Sequence, residues 1–230
     1  GSFEKYVGEK IKLFQGAKEL HIVNADSDQV DKFLETKATK TVTYGMEVRD
    51  SKENHIQGSF IREGDVQFLV EKTNITLQLL GSFNAYNGLA AIVVAQSFSI
   101  PIETAIKALE QFQGIPGRME QVVDEPFSVV VDYAFTPAAL EKVYKTLKPE
   151  QGKLICVVSA TGGGRDKWKR PVLGKLAATN CDSVFITDED PYEEDPWQII
   201  EQVAAGTGGK GEKVLDRREA IRKALGAASA

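Results

Sequence analysis

The sequence predicts an α/β chain in two parts, the second a Rossmann-like domain on a parallel sheet, and three observations carry the prediction. Between Lys40 and Leu80 the hydropathy alternates with period two, as in half-buried strands. Beyond residue 115, apolar runs at 128–133, 153–160 and 183–188 alternate with helical patterns at 137–147, 170–179, 196–205 and 216–225. Strands without polar alternation, separated by helices, mean a parallel sheet covered on both faces. Between the two stretches lies Gly114-Ile115-Pro116-Gly117-Arg118, a cluster of turn formers that places the domain boundary, with a first domain at 1–115 and a second at 116–230.

Taken in order, the opening SFEKYVGEKIKLF sets Phe3, Tyr6, Val7, Lys10, Leu13 and Phe14 near helical spacing, with Ser2 as N-cap and Gly16 as the stop. LHIVN (20–24) is a buried strand, and Asp26-Ser27-Asp28 then caps a helix over roughly 28–35. TVTYGMEV (41–48), HIQGSFIREG (55–64), VQFLVE (66–71) and NITLQLL (74–80) read as strands, the last two a hairpin turning around Lys72-Thr73-Asn74. Two helices follow, at 83–98 and, opened by Pro101 at the first helical position, at 102–112. The stretch GTGGKGEK (206–213) is expected to be a mobile surface loop.

Composition removes several function classes. At 230 residues, with 42% hydrophobic and 27% charged residues, the chain can bury a core and is neither disordered nor fibrous. Its net charge of −5 argues against nucleic acid or an anionic membrane as partner. Cys156 and Cys181 sit in apolar surroundings without CxxC or Cys/His clustering, so neither a disulfide framework nor a structural zinc site is expected. No apolar window reaches the length of a membrane span, and the N-terminal stretch lacks the apolar core of a signal peptide, so a cytoplasmic protein is expected.

In open parallel sheets ligands gather at the carboxyl ends of the strands, which here read VDYAFTP, SATGGGRDKWKRP and TDEDPYEEDP. The glycines of Thr161–Pro171 expose backbone N–H groups beside Arg165, Lys167, Lys169 and Arg170, a recipe for holding an anion, with Lys169 and Arg170 as candidate phosphate contacts. Basic residues at a helix start oppose its dipole and so ask for a reason. The segment is not a Walker A loop, since G-x-x-x-x-G-K followed by Ser or Thr occurs nowhere in the chain.

Five motifs in series, Asn84-x-x-Asn87-x-Leu89-Ala90-Ala91, Pro116-Gly117-Arg118-Met119-Glu120, Val131-Asp132-Tyr133-Ala134-x-Thr136-Pro137, Gly162-Gly163-Gly164-Arg165-Asp166 with Lys169-Arg170-Pro171, and Asp188-Glu189-Asp190-Pro191, resemble the Mur ligase family in order and spacing. Within it they are similar to the MurE-type UDP-N-acetylmuramoyl-tripeptide synthetases. The resemblance implies an ATP- and Mg²⁺-dependent amide ligase of peptidoglycan precursor synthesis. A carboxylate of a UDP-N-acetylmuramoyl peptide would take the γ-phosphoryl group, and the amine of a free amino acid would attack the acyl phosphate.

Carried over residue by residue, Lys10 falls where the family has a carbamylated lysine that helps bind Mg²⁺, the carbamate giving a hard metal an oxygen ligand. Asn84 and Asn87 resemble the adenine-side pair, whose amides both donate and accept. Arg118, Asp132 and Tyr133 resemble nucleotide contacts to phosphate and ribose. Arg165, with Asp166, matches the grip on the incoming amino acid's carboxylate, a task suited to the guanidinium fork. Asp188, Glu189, Asp190 and Tyr192 occupy its selectivity motif.

Here the chain departs from the family, because Asp-Asn-Pro-Arg of the diaminopimelate-adding members reads Glu189-Asp190-Pro191-Tyr192. The lost arginine and the added acid predict that a cationic side chain such as lysine fits better than meso-diaminopimelate. Phe135 replaces a frequent histidine and Gly164 a frequent aspartate. Residue 1 already matches a point beyond the family's UDP-binding domain and phosphate loop, and the C-terminus precedes a Gly-Lys-Gly-x-Glu segment. The chain alone is therefore expected to bind ATP weakly and not to turn over. The alternative is a non-catalytic nucleotide- or amino-acid-binding or interaction module reusing the fold.

Overall fold

The computed structural model describes residues 2–47, 54–61 and 66–228. The predicted strand ends at Val48 and at 62–64 lie outside them. The chain divides into two compact units, Gly1–Gly114 and Ile115–Ala230.

The first unit runs α1 (Phe3–Gly16), β1 (Leu20–Asn24), α2 (Val30–Leu34), β2 (Lys40–Gly45), β3 (His55–Phe60), β4 (Gln67–Val70), β5 (Thr73–Thr76), α3 (Phe83–Ser97) and α4 (Ile102–Gln111). Its sheet has the order β1-β2-β3-β4-β5, parallel through the first three strands and antiparallel through the last three. Ser2 caps α1 as expected, its hydroxyl accepting from the Lys5 N–H at 3.3 Å. The core gathers Phe68, Val70, Ile75, Leu89 and Ile92, all fully buried. Each contributes roughly 1.5–3 kcal/mol of burial.

Three local expectations shift. The hairpin turns at Glu71-Lys72, both with positive φ (49° and 73°), because Thr73 and Asn74 already pair with Val70 and Leu69. Pro101 is the N-cap of α4 and not its first helical residue. The Asp26-Ser27-Asp28 segment does not cap α2, whose N-cap Gln29 makes no side-chain cap bond. Asp26 turns instead to the exit of β2, its Oδ2 accepting from the N–H groups of Met46 (2.6 Å) and Glu47 (3.1 Å) and from the Tyr86 hydroxyl (3.1 Å). A carboxylate satisfied by three donors outcompetes a local cap. Gly45 has to be glycine for the same reason, since a Cβ there would stand 2.6 Å from Asp26 Oδ1.

The second unit contains β6 (Glu120–Val123), β7 (Val129–Val131), α5 (Pro137–Leu147), β8 (Ile155–Val158), α6 (Lys169–Asn180), β9 (Ser183–Ile186), α7 (Pro196–Ala204), β10 (Gly211–Lys213) and α8 (Arg217–Ala227). The parallel sheet has the order β10-β9-β8 and is covered on both faces, by α5, α6 and α7 on one side and by α8 on the other. The run at 128–133 does not join it by hydrogen bonds: β7 pairs antiparallel with β6. Its apolar character misleads because Val131 stays 45% exposed, so the run is not buried on both faces. The third strand comes from the stretch expected to be a mobile loop, where 211–213 pairs with β9 as β10. Among the described residues no helix is long and apolar enough to cross a membrane.

Candidate functional site at the strand ends

The loops leaving β8 and β9 lie side by side because their strands are adjacent and parallel, and they interlock. The Gly162 N–H donates to the Asp190 carbonyl at 3.1 Å. A Cβ on Gly162 would sit 2.1 Å from the Pro191 carbonyl oxygen, and one on Gly163 would sit 2.7 Å from the Tyr192 ring. The Gly162 N–H is thus committed to the neighbouring loop, while Gly164 faces open space at φ 75°. Asp190 and Tyr192 both take left-handed backbone conformations, φ 41° and 52°. Such strain persists only where surrounding contacts impose it. Arg165, Asp166, Asp190 and Tyr192 are exposed at this edge, and Glu189 and Asp188 are half-buried behind them.

The expected anion contacts divide. Arg170 is not an anion site facing solvent: it is fully buried, and both of its terminal nitrogens are taken by protein partners. Its Nη1 donates to Glu194 Oε2 (3.0 Å) and Gln202 Oε1 (2.7 Å), and its Nη2 to Glu194 Oε1 (3.1 Å) and the Thr161 carbonyl (3.2 Å). Hydrogen bonds from Arg170 and then Lys167 hold the Glu194 carboxyl down at about 2. Lys169 is also buried, with its Nζ 5.3 Å from the centroid of the Phe135 ring. Desolvation lowers its pKa, against the pull of Asp166.

The loop after β7 carries the residues expected on the nucleotide side. Asp132 accepts from the backbone N–H groups of Met119 (2.8 Å) and Ala134 (2.7 Å), which ties the start of β6 to the end of β7. The Arg118 guanidinium lies 4.9 Å over the Tyr133 ring, and Tyr133 meets Phe135 edge-on at 5.8 Å. Arg118, Tyr133, Phe135 and Lys169 therefore form one continuous run of contacts from β6 to α6. In the first unit, Asn84 donates to the Leu80 carbonyl (2.7 Å) and accepts from Asn87 (3.0 Å), so the two amides act as a pair and neither caps α3. Lys10 stands exposed on α1, 5.5 Å from the Tyr6 ring centroid.

Sequence reasoning missed Glu194, Ser159 and Arg217. The Arg217 Nη1 donates to Ser159 Oγ (3.2 Å) and to the Asp188 carbonyl (3.1 Å), and Ser159 passes a hydrogen bond to Glu189 Oε2 (2.8 Å). Arg217 reaches the strand ends because Asp216 caps α8 beside them, accepting from the Glu219 N–H at 2.7 Å. Periodicity cannot reveal such a contact between segments 58 residues apart.

The Mur ligase middle domain matches residues 1–95, and the Mur ligase glutamate ligase domain matches residues 117–230. The UDP-N-acetylmuramoyl-L-alanyl-D-glutamate--2,6-diaminopimelate ligase of Chlamydia caviae is 38% identical over 238 residues, covering 100% of this chain and 49% of its own. The UDP-N-acetylmuramyl-tripeptide synthetase of Roseiflexus sp. (strain RS-1) is 34% identical, covering 98% and 49%. Among solved structures, a pseudomurein peptide ligase type C from Methanothermus fervidus superposes with a TM-score of 0.80 at 22% identity, over 99% of this chain and 55% of that one, a likeness of fold. The chain spans about half the length of the relatives it matches. With its two domains matched in order and its sequence aligned end to end, this chain belongs to the Mur ligase family.

Proposed function

We propose that the protein works as an ATP-dependent amide ligase of peptidoglycan precursor synthesis, adding the third amino acid to UDP-N-acetylmuramoyl-dipeptide. The observation that carries this reading is the interlocked pair of loops at the carboxyl ends of β8 and β9, which gathers Arg165, Asp188, Glu189, Asp190 and Tyr192 at one edge of the sheet of a Mur ligase chain. Arg165, with its exposed guanidinium, takes the α-carboxylate of the incoming amino acid through paired hydrogen bonds. Asp190 and Glu189 face its side chain. The amine attacks the acyl carbon of the activated peptide, phosphate leaves with the bonding pair, and the amine gives up its proton.

On the nucleotide side, the Asn84–Asn87 amide pair suits a base edge, and Arg118 and Asp132 suit phosphate and ribose. Asp132 keeps lone pairs beyond the two backbone donors that orient it. Within its own unit the amide pair fits a base edge, and within the other the carboxylate fits a ribose. No residue set fits a metal in the same way: among the described residues no three His, Cys, Asp or Glu side chains lie close enough to hold an ion. A carbamate on Lys10 would add one oxygen ligand, so no step is assigned to Mg²⁺.

Lysine is the preferred amino acid in this reading, because Tyr192 offers no positive charge to a second carboxylate while Asp190 opposes one. The test is an ATP-dependent ligation assay of the complete protein with UDP-N-acetylmuramoyl-dipeptide and either lysine or meso-diaminopimelate. Faster product formation with lysine is expected, and comparable rates would overturn the preference. Absence of ADP release with either amino acid would overturn the ligase assignment.

A further inference from the structure

Glu189 is held by a side chain from outside the two loops at the strand ends. Alternate residues of β8 and β9 point to opposite faces of the sheet. Val157 and Phe185 pack with Ala220 of α8, and the Thr187 hydroxyl donates to the Leu215 carbonyl just before that helix. Ser159 and Glu189 follow Val157 and Thr187 by two residues each, so they continue the α8 face past the carboxyl ends of the strands. There α8 opens with Arg217.

The three residues form a relay with one possible direction. A guanidinium only donates, a carboxylate only accepts, and a serine hydroxyl carries a single proton. Ser159 therefore accepts from Arg217 Nη1 (3.2 Å) and spends its proton on Glu189 Oε2 (2.8 Å). The other proton of the same Nη1 goes to the Asp188 carbonyl (3.1 Å), in the peptide that leads into Glu189. Arg217 thus fixes the main chain before Glu189 and, through Ser159, the carboxylate itself. The contrast with Glu194 is informative: its two oxygens are both taken by Arg170, so that carboxylate is consumed. At Glu189 a hydroxyl stands between the guanidinium and the carboxylate, and Oε1 makes no hydrogen bond among the described residues. The carboxylate is aligned, and one oxygen is left for a donor.

We propose that Arg217 is a positioning residue that acts through Ser159 to aim the Glu189 carboxylate at the cationic side chain of the incoming amino acid. The relay stands on its hydrogen bonds alone; the identity of what Glu189 meets rests on the proposed function.

Two measurements test it. In the 230-residue chain with ¹³Cδ-labelled glutamate, the Glu189 carboxyl signal is assigned by its loss in Glu189→Gln. It is expected to move in Ser159→Ala and in Arg217→Met, and to stay near its wild-type position in Arg217→Lys, whose ammonium can still donate to Ser159. An unmoved signal in whichever of Ser159→Ala and Arg217→Met is folded overturns the relay. In the complete protein, with ATP and UDP-N-acetylmuramoyl-dipeptide, the same two substitutions are expected to raise KM for lysine about tenfold at nearly unchanged kcat. Apparent affinity for norleucine, which is lysine without its ε-ammonium, is expected to stay unchanged, and Arg217→Lys to restore most of the loss. Equal weakening of lysine and norleucine, or a loss confined to kcat, marks a general structural role and overturns the proposal. An active protein whose lysine KM ignores both substitutions overturns the positioning role and leaves the ligase reading standing. A wild-type protein that ligates nothing overturns the ligase reading and with it the amino acid assigned to Glu189, while the carboxyl signal still decides the relay.

Discussion

Arg170 and Glu194 are joined by two parallel hydrogen bonds of 3.0 and 3.1 Å, with the guanidinium fully enclosed and its second Nη1 and Nη2 bonds spent on Gln202 and Thr161. The pair thereby ties the glycine loop after β8 to the loop after β9 and to α7. Replacing Arg170 with alanine opens a cavity and strands the Thr161 carbonyl and the Gln202 side chain. The expected cost is about 3–5 kcal/mol, measurable as a lowered urea midpoint at unchanged slope.

Glu194 makes the same link depend on pH. Its folded pKa is depressed, to about 2 from 4.5, so the stabilisation is present above 4.5 and is lost as pH falls through the folded value. The difference in stability between wild type and Glu194→Gln is therefore expected to be constant above about pH 5 and to shrink toward pH 2. Acid titration of both proteins by circular dichroism checks this; a constant difference down to pH 2 would contradict it.

Gly162 and Gly164 should respond differently to alanine. A Cβ on Gly162 meets the Pro191 carbonyl at 2.1 Å, so the two loops must separate, whereas Gly164 faces open space and bears only the strain of its positive φ. Gly162→Ala is expected to cost about 2–3 kcal/mol and Gly164→Ala about 1 kcal/mol. Differential scanning calorimetry of the two variants ranks them, and equal melting temperatures would argue against the interlock.

Asp190 and Tyr192 are predicted to set the choice of amino acid. The double substitution Asp190→Asn, Tyr192→Arg removes the opposing acid and supplies a guanidinium for a second carboxylate. In the complete protein it is expected to move the ratio of kcat/KM for meso-diaminopimelate over lysine upward by at least about tenfold, on the order of 1.4 kcal/mol.

Lys10 is predicted to carry a carbamate. With ¹³C-bicarbonate, a carbamate carbon signal is expected in the wild-type chain and not in Lys10→Arg. A signal that survives the substitution would place the modification on another lysine, and no signal in either protein would overturn the carbamate on Lys10.

Much of this molecule follows from local rules. Ser2, Thr136, Asp195 and Asp216 cap their helices through short-range hydrogen bonds, and the helix at 137–147 follows directly from Thr136-Pro137 and its apolar periodicity. The strand ends were legible as a candidate site because polar and glycine residues interrupt apolar runs at 159–168 and 187–195. Tertiary structure alone decided which of those residues face solvent. Arg170 and Lys169 are neighbours with the same charge, yet one is bonded into Glu194 from 24 residues away and the other lies against the Phe135 ring with no ion pair among the described residues. It also decided that 128–131 pairs with 120–123 and that 211–213 completes the parallel sheet. Hydropathy records how apolar a segment is, a property of its own side chains. Pairing and charge compensation depend on the partner brought alongside, and that partner is fixed only when the chain has folded.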